Sequence, residues 1–253
     1  MITRQAPRPA AARFASGGRG NYDLILAAFC GLLLISNIGA TKLIEFGPRV
    51  EVLGHRVLPV LTDGGAFLFP LTYVLGDVLA EVYGLRRSRR AILTGFALAA
   101  LMSLAFLAVD AAPPASEWPN QDAWTAVLGF VPRIVVASLL GYLAGQFLNA
   151  FVLVRIKERA SEGRLWVRLV SSTVVGEFAD TLVFCSLAFG PPGGFLGGPS
   201  IGWDALLNYA VVGWAYKVLV EVLLLPVTYR AIAAVKRREP DYHPAAAGPG
   251  PGR

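Results

Sequence analysis

The sequence predicts an all-α polytopic membrane protein of six transmembrane helices with both termini in the cytoplasm. Three observations predict it. The 253 residues are 55% hydrophobic and 16% charged, where soluble domains carry about a quarter charged residues. Mean hydropathy is +0.56. Apolar runs of near-bilayer length, about 20 residues, recur from residue 22 to residue 229. None alternates apolar with polar as a membrane strand would, so helices that satisfy their own backbone are the expectation.

Residues 1–20 are rich in Arg, Ala, Pro and Gly and are expected to form a disordered basic tail. Joined to the apolar run Leu24–Ile35 and the small residues of Ser36–Ala40, the tail has the outline of a cleavable leader. Because apolar runs continue to residue 235, retention of that run as a first helix is the more economical reading. The six spans are expected near 22–43, 64–85, 90–110, 126–153, 169–190 and 205–229, within one domain at 21–238. The fourth is long enough to tilt or protrude. Residues 239–253 form a second tail rich in Pro, Ala and Gly.

Charge sets the orientation. Arg4, Arg8, Arg13 and Arg19 precede span 1; Arg86, Arg87, Arg89 and Arg90 separate spans 2 and 3. Arg155, Lys157, Arg159, Arg164 and Arg168 lie between spans 4 and 5, and Arg230, Lys236, Arg237 and Arg238 follow span 6. The loops at 111–124 and 191–204 have no Lys or Arg. Basic connections mark the cytoplasmic side; only the first outer loop, with Lys42, Arg49 and Arg56, runs against the pattern. The net charge of +6 therefore reads as topology rather than nucleic-acid binding, which would interleave aromatics with the basic residues. The lipid bilayer is the expected surrounding. Cys30 and Cys185 lie inside apolar runs without metal-ligand spacing and read as small buried hydrophobes.

Ionisable residues inside spans are costly and point to function. Asp77 and Glu81 share one helix face in span 2; such neighbours hold a proton or a cation between them, or pair with Arg86, Arg87 or the next helix. Glu177 and Asp180 share a face of span 5, with Ser171, Ser172 and Thr173 before them and Thr181 after. They suit ligand binding or proton coupling, or a structural pairing with Lys217 or Arg133. Lys217 and Glu221 stand i, i+4 on span 6 and can neutralise each other. Arg133, Gln146 and Asn149 lie on span 4, Asn37, Thr41 and Lys42 at the outer end of span 1, and Asn208 and Tyr209 toward the outer end of span 6. Arg133 balances an acid or binds substrate. Pro70 and Pro226 are expected to interrupt spans 2 and 6 and free carbonyls for a cavity.

Some chemistry is missing. The histidines, His55 and His243, fall in a loop and a tail, and there is no HExxH, GxSxG or metal-spaced Cys/His set. No GxxxxGK[ST] is present either. An enzyme is not expected, and no cofactor or metal is implied. A non-catalytic assembly protein, with its charges serving as helix-to-helix glue, is the remaining contrast.

The run Phe69-Pro70-Leu71-Thr72-Tyr73 through Asp77 and Glu81 to Tyr83-Gly84, followed by arginines, resembles the signature of the queuosine precursor transporter (VUT) family. Ser36-Asn37 through Lys42, Ser171-Ser172 through Phe184, and Tyr216-Lys217 through Glu221 to Tyr229 are similar to the family's first, fifth and sixth helices. The resemblance covers residues 22–240. It implies a fold similar to the substrate-binding components of energy-coupling-factor transporters, a bacterial inner-membrane location, and import of 7-deazaguanines such as preQ0 and preQ1 for tRNA modification. The alternative is a vitamin or nucleobase substrate-binding component working with a separate ATPase module. A deazaguanine presents N1–H beside an exocyclic amine, which one buried carboxylate can accept together. Glu177 or Asp180 suits that role, with Asn37, Gln146 or Asn149 toward O6. Phe69, Tyr73, Phe178, Phe184 and Trp214 are candidates for stacking. The expected substrate-binding set is thus Glu177, Asp180, Asp77, Glu81, Asn37, Tyr73, Arg133, Asn149, Lys217 and Glu221.

Overall fold

A computed structural model gives the architecture and describes residues 20–52, 55–159, 165–191 and 200–239. The expected tails at 1–20 and 239–253 fall almost wholly outside these residues. So do the side chains of Ser171, Ser172 and Thr173.

The chain is mostly helical. Helix α1 (Tyr22–Gly39) opens with Asp23 in its first turn, where the helix dipole favours negative charge. It ends at Ala40, whose amide donates to the Ser36 carbonyl at 2.8 Å. Thr41 and Lys42, read as the end of span 1, lie beyond it.

The chain is not all-α. The first outer loop is an antiparallel hairpin of β1 (Leu43–Val52) and β2 (His55–Asp63). Leu43 pairs with Asp63 and Phe46 with Val60, and the register slips between Phe46 and Val50. Gly47, at φ 100°, sits in the slip; that backbone region favours glycine. The hairpin lies across helix ends rather than projecting away. The Gly64 amide donates to the Lys42 carbonyl at 2.9 Å, and the Leu61 amide donates to Asn208 Oδ1 at 3.3 Å.

A single 3₁₀ turn (Gly64–Phe67), capped by the Asp63 side chain, leads into α2 (Phe69–Asp110). Pro70 stands in the first turn of α2, where its missing N–H costs nothing. It starts this helix rather than interrupting it. The expected connection between spans 2 and 3 is reduced to a kink: two helices run into each other at Gly84, whose backbone is non-helical at φ 77°, and Arg86 to Arg90 already belong to the second of them. Glycine adopts this backbone region without the strain that other residues meet.

A short helix α3 (Gln121–Val127) precedes α4 (Val131–Arg159), α5 (Leu165–Phe189) and α6 (Trp203–Arg238). Pro226 lies inside α6, as expected, and Lys236, Arg237 and Arg238 occupy its last turn. Among the described residues, Tyr22–Gly39, Phe69–Asp110, Gln121–Asn149 and Trp203–Arg238 are long and apolar enough to cross a membrane. Leu24, Leu93, Phe147 and Leu223 point outward and are exposed, as suits a hydrocarbon solvent.

Two features hold the ends of the bundle. Near the hairpin, Phe130, Phe189 and Tyr209 pack ring against ring, with centroids 5.7 and 5.5 Å apart. At the other end, Glu239 Oε1 accepts from the Asn21 amide and from Tyr83 Oη, each at 2.6 Å. The first helix and the last therefore begin and finish on the same face.

Candidate substrate-binding cavity

The cavity owes its shape to glycine. Helices α4 and α5 meet along Gly141, Gly145 and Gly176. A Cβ on Gly145 would stand 2.9 Å from the Gly176 carbonyl, and one on Gly176 would stand 2.8 Å from Asn149 Cβ. Small residues let backbones in a membrane approach this closely. The contact brings Asn149 on α4 beside Glu177 and Asp180 on α5, at the wall of an internal cavity of about 450 Å³.

Helices α1, α2, α4, α5 and α6 all contribute to this wall, and the strand end at Thr62 and Asp63 also lines it. Of the sequence-predicted set, Asn37, Tyr73, Asp77, Asn149, Glu177, Asp180, Lys217 and Glu221 line it. Glu81 and Arg133 are not among the lining residues.

Lys217 Nζ donates to Asp180 Oδ2 at 2.5 Å and sits 4.9 Å from the centre of the Phe69 ring. The lysine is therefore paired across helices, α6 to α5, rather than to Glu221 on its own helix. Phe69 and Tyr73 meet edge to face with centroids 3.9 Å apart. Glu177 lies within hydrogen-bonding reach of both Tyr73 and Glu221. Three polar atoms of the wall are buried without a hydrogen-bond partner among the described residues: Asn149 Oδ1, Glu177 Oε2 and Thr181 Oγ1. Each can accept a hydrogen bond, and an unmet acceptor costs about 1–3 kcal/mol. A ligand that donates would remove that cost.

Glu81 and Arg133 have structural surroundings. Glu81 Oε1 accepts from Lys236 Nζ at 2.7 Å, so its partner is the end of α6 and not Arg86 or Arg87. Arg133 is 2% exposed. Its Nε donates to the Leu187 carbonyl at 2.7 Å and its Nη2 to the Gly190 carbonyl at 3.3 Å. A guanidinium there satisfies carbonyls that the end of α5 leaves open.

Sequence reasoning missed Asp63. It is buried, caps the 3₁₀ turn by accepting from the Gly65 amide at 2.6 Å, and accepts from Tyr209 Oη. The Asp-Gly-Gly run at 63–65 was the available signal, since Asp caps turns in this way. Among the expected stacking aromatics, Phe69, Tyr73 and Phe184 line the cavity. Phe178 and Trp214 are not among the lining residues and pack edge to face on each other at 5.6 Å.

A helical membrane chain that keeps its carboxylates inward, around a cavity sized for one small molecule, belongs to the class of solute carriers rather than of membrane scaffolds. A family model described as "Putative vitamin uptake transporter" matches residues 63–231, and the chain belongs to that family. It is 32% identical over 176 residues to the Bacillus subtilis (strain 168) protein named "Probable queuosine precursor transporter", covering 65% of this chain and 73% of that one. It is 28% identical over 175 residues to the Escherichia coli (strain K12) "Queuosine precursor transporter", covering 69% and 72%. A Haemophilus influenzae relative with the same function in its name is 29% identical over 125 residues, about half of each chain. No solved structure matches the chain.

Proposed function

We propose that this protein imports queuosine precursors, 7-deazaguanines such as preQ0 and preQ1, across the bacterial inner membrane. The observation that carries the proposal is the row of unpaired acceptors, Asn149 Oδ1, Glu177 Oε2 and Thr181 Oγ1, on the wall of a cavity of about 450 Å³. That row asks for a ligand edge rich in donors. The N1–H and exocyclic amine of a deazaguanine form such an edge, and a carboxylate can accept both in a bidentate manner. Glu177 is the residue assigned to it. Phe69, Tyr73 and Phe184 flank the ring, and stacking on aromatics contributes about 1–3 kcal/mol per base. The names of the relatives supply the substrate class.

The same proposal gives the chain six spans with both termini in the cytoplasm. Gly84 divides α2 into two crossings, and α1, α4, α5 and α6 supply the others. The bond between Asn21 and Glu239 supports an even number of crossings. The arginines of residues 86–90 and the basic last turn of α6 support the cytoplasmic assignment of that face.

The test is uptake rescue. The full chain is expressed in a bacterium that cannot synthesise preQ0 and lacks its own importer, preQ0 or preQ1 is supplied at limiting concentration, and queuosine is assayed in tRNA. Restored queuosine, lost in a Glu177→Gln variant that still inserts, is the expected result. No queuosine despite verified membrane insertion overturns the substrate assignment.

A further inference from the structure

The cavity wall carries more carboxyl groups than it pairs with cations. Asp63, Asp77, Glu177, Asp180 and Glu221 line it, and Lys217 is the one lysine or arginine among the described residues that does so. Lys217 is committed to Asp180, and Asp63 to Tyr209 and the Gly65 amide. What remains is a row on three helices: Asp77 on α2, Glu221 on α6 and Glu177 on α5. Glu221 interacts electrostatically with Asp77 and reaches Glu177. Asp77 has no salt-bridge partner among the described residues.

Carboxylates crowded into one cavity repel one another, and a cation among them removes the repulsion. An independent observation says that the space is built for a ligand. Thr181 is 3% exposed, lies one turn beyond Glu177 on the same wall, and keeps Oγ1 without a partner among the described residues. Glu221 adjoins Glu177, so a ring whose donor edge meets Glu177 and Thr181 lies beside this acidic row.

We infer that the cavity selects ligands bearing a positively charged amine, seated between Asp77 and Glu221, over neutral ligands built on the same ring. The inference rests on the reading of the protein as a deazaguanine carrier and adds a specificity to it. The two precursors provide the contrast, because preQ1 carries an aminomethyl cation where preQ0 carries a neutral nitrile.

The experiment is equilibrium binding of preQ1 and of preQ0 to the purified full-length protein. PreQ1 is expected to bind at least about tenfold more tightly, the ratio that one charge-assisted hydrogen bond supports. Asp77→Asn is expected to bring that ratio below about threefold by the same arithmetic. If the variant does not fold, the wild-type ratio decides by itself. Equal affinities for the two compounds overturn the inference and leave the importer reading standing, with the acidic row then holding protons. Binding of neither compound overturns both.

Discussion

The hairpin side of the molecule and the α4–α5 wall of the cavity treat buried polarity in opposite ways. Toward the hairpin, polar groups are closed: Asp63 takes hydrogen bonds from Tyr209 and Gly65, Asn208 takes the Leu61 amide, and Arg133 donates to the carbonyls of Leu187 and Gly190. On the α4–α5 wall, Asn149 Oδ1, Glu177 Oε2 and Thr181 Oγ1 are buried acceptors with no partner among the described residues. A buried polar group that is satisfied holds a fold together, whereas one left open waits for a partner. The difference separates structural residues from ligand-binding ones where residue type alone does not, since both regions use carboxylates and amides.

The largest effect is expected from breaking the seam that creates the open wall. Gly145→Leu places a side chain where even a Cβ meets Asp180 Cβ at 2.9 Å. Forcing atoms into a packed contact costs about 1–3 kcal/mol or more. A loss of monodisperse protein on size-exclusion in detergent, together with loss of uptake, is expected. Next is the hairpin side. Arg133→Met leaves the Leu187 and Gly190 carbonyls without their donor, and hydrogen bonds to charged groups are worth about 1.5–3 kcal/mol each. The thermal unfolding midpoint should fall, while protein that remains folded still binds ligand.

Glu177→Gln sharpens the contrast from the other side. Stability should stay within about 1 kcal/mol of the parent or rise, because a buried carboxyl is replaced by a neutral group of the same shape. Ligand affinity should fall at least about tenfold. A variant that unfolds but keeps its affinity would reverse the assignment of roles. The smallest effect concerns Glu239, outside the spans. Slight burial raises its pKa, but hydrogen bonds from Tyr83 and Asn21, with Arg87 nearby, outweigh that and hold it below the ordinary 4.5. A depressed folded value means that the clamp is at full strength above pH 4.5 and weakens as the pH falls through the folded value. The difference in thermal unfolding midpoint between the parent and a Glu239→Gln variant should therefore shrink on acidification below that point and stay constant between pH 5 and 8.

Much of this was legible in the sequence, and the reasons differ from region to region. Spans follow from hydropathy because hydrocarbon leaves a backbone few choices. The carboxylates of Asp77, Glu177, Asp180 and Glu221 stood out because charge is costly there. Pairing was less legible. The sequence leaves Lys217 two partners, Glu221 at i, i+4 on its own helix and the Glu177/Asp180 pair on span 5, and packing sets it against Asp180. The hairpin at 43–63 was read as a loop because Gly47 and Pro48 interrupt its alternation, the signal on which strand reading depends. The break at Gly84 lies one residue from the expected end of span 2, whereas the four arginines after it read as a connection although they are helical. The glycines at 141, 145 and 176 were present in the sequence throughout, but they gain meaning only once α4 and α5 are known to be neighbours.

The bond between Glu239 and Asn21 has a consequence for how the polypeptide can be rewired. Residues 21 and 239 are already adjacent, so a short linker from residue 239 to residue 21 would bridge little distance. Circular permutation succeeds where termini are close and new ends fall at exposed connections. A permuted chain opened between residues 111 and 120 would keep every helix contact described above while moving both ends to the opposite face. Reporter proteins could then be attached on the hairpin side of the helix bundle instead of on the side of Asn21 and Glu239.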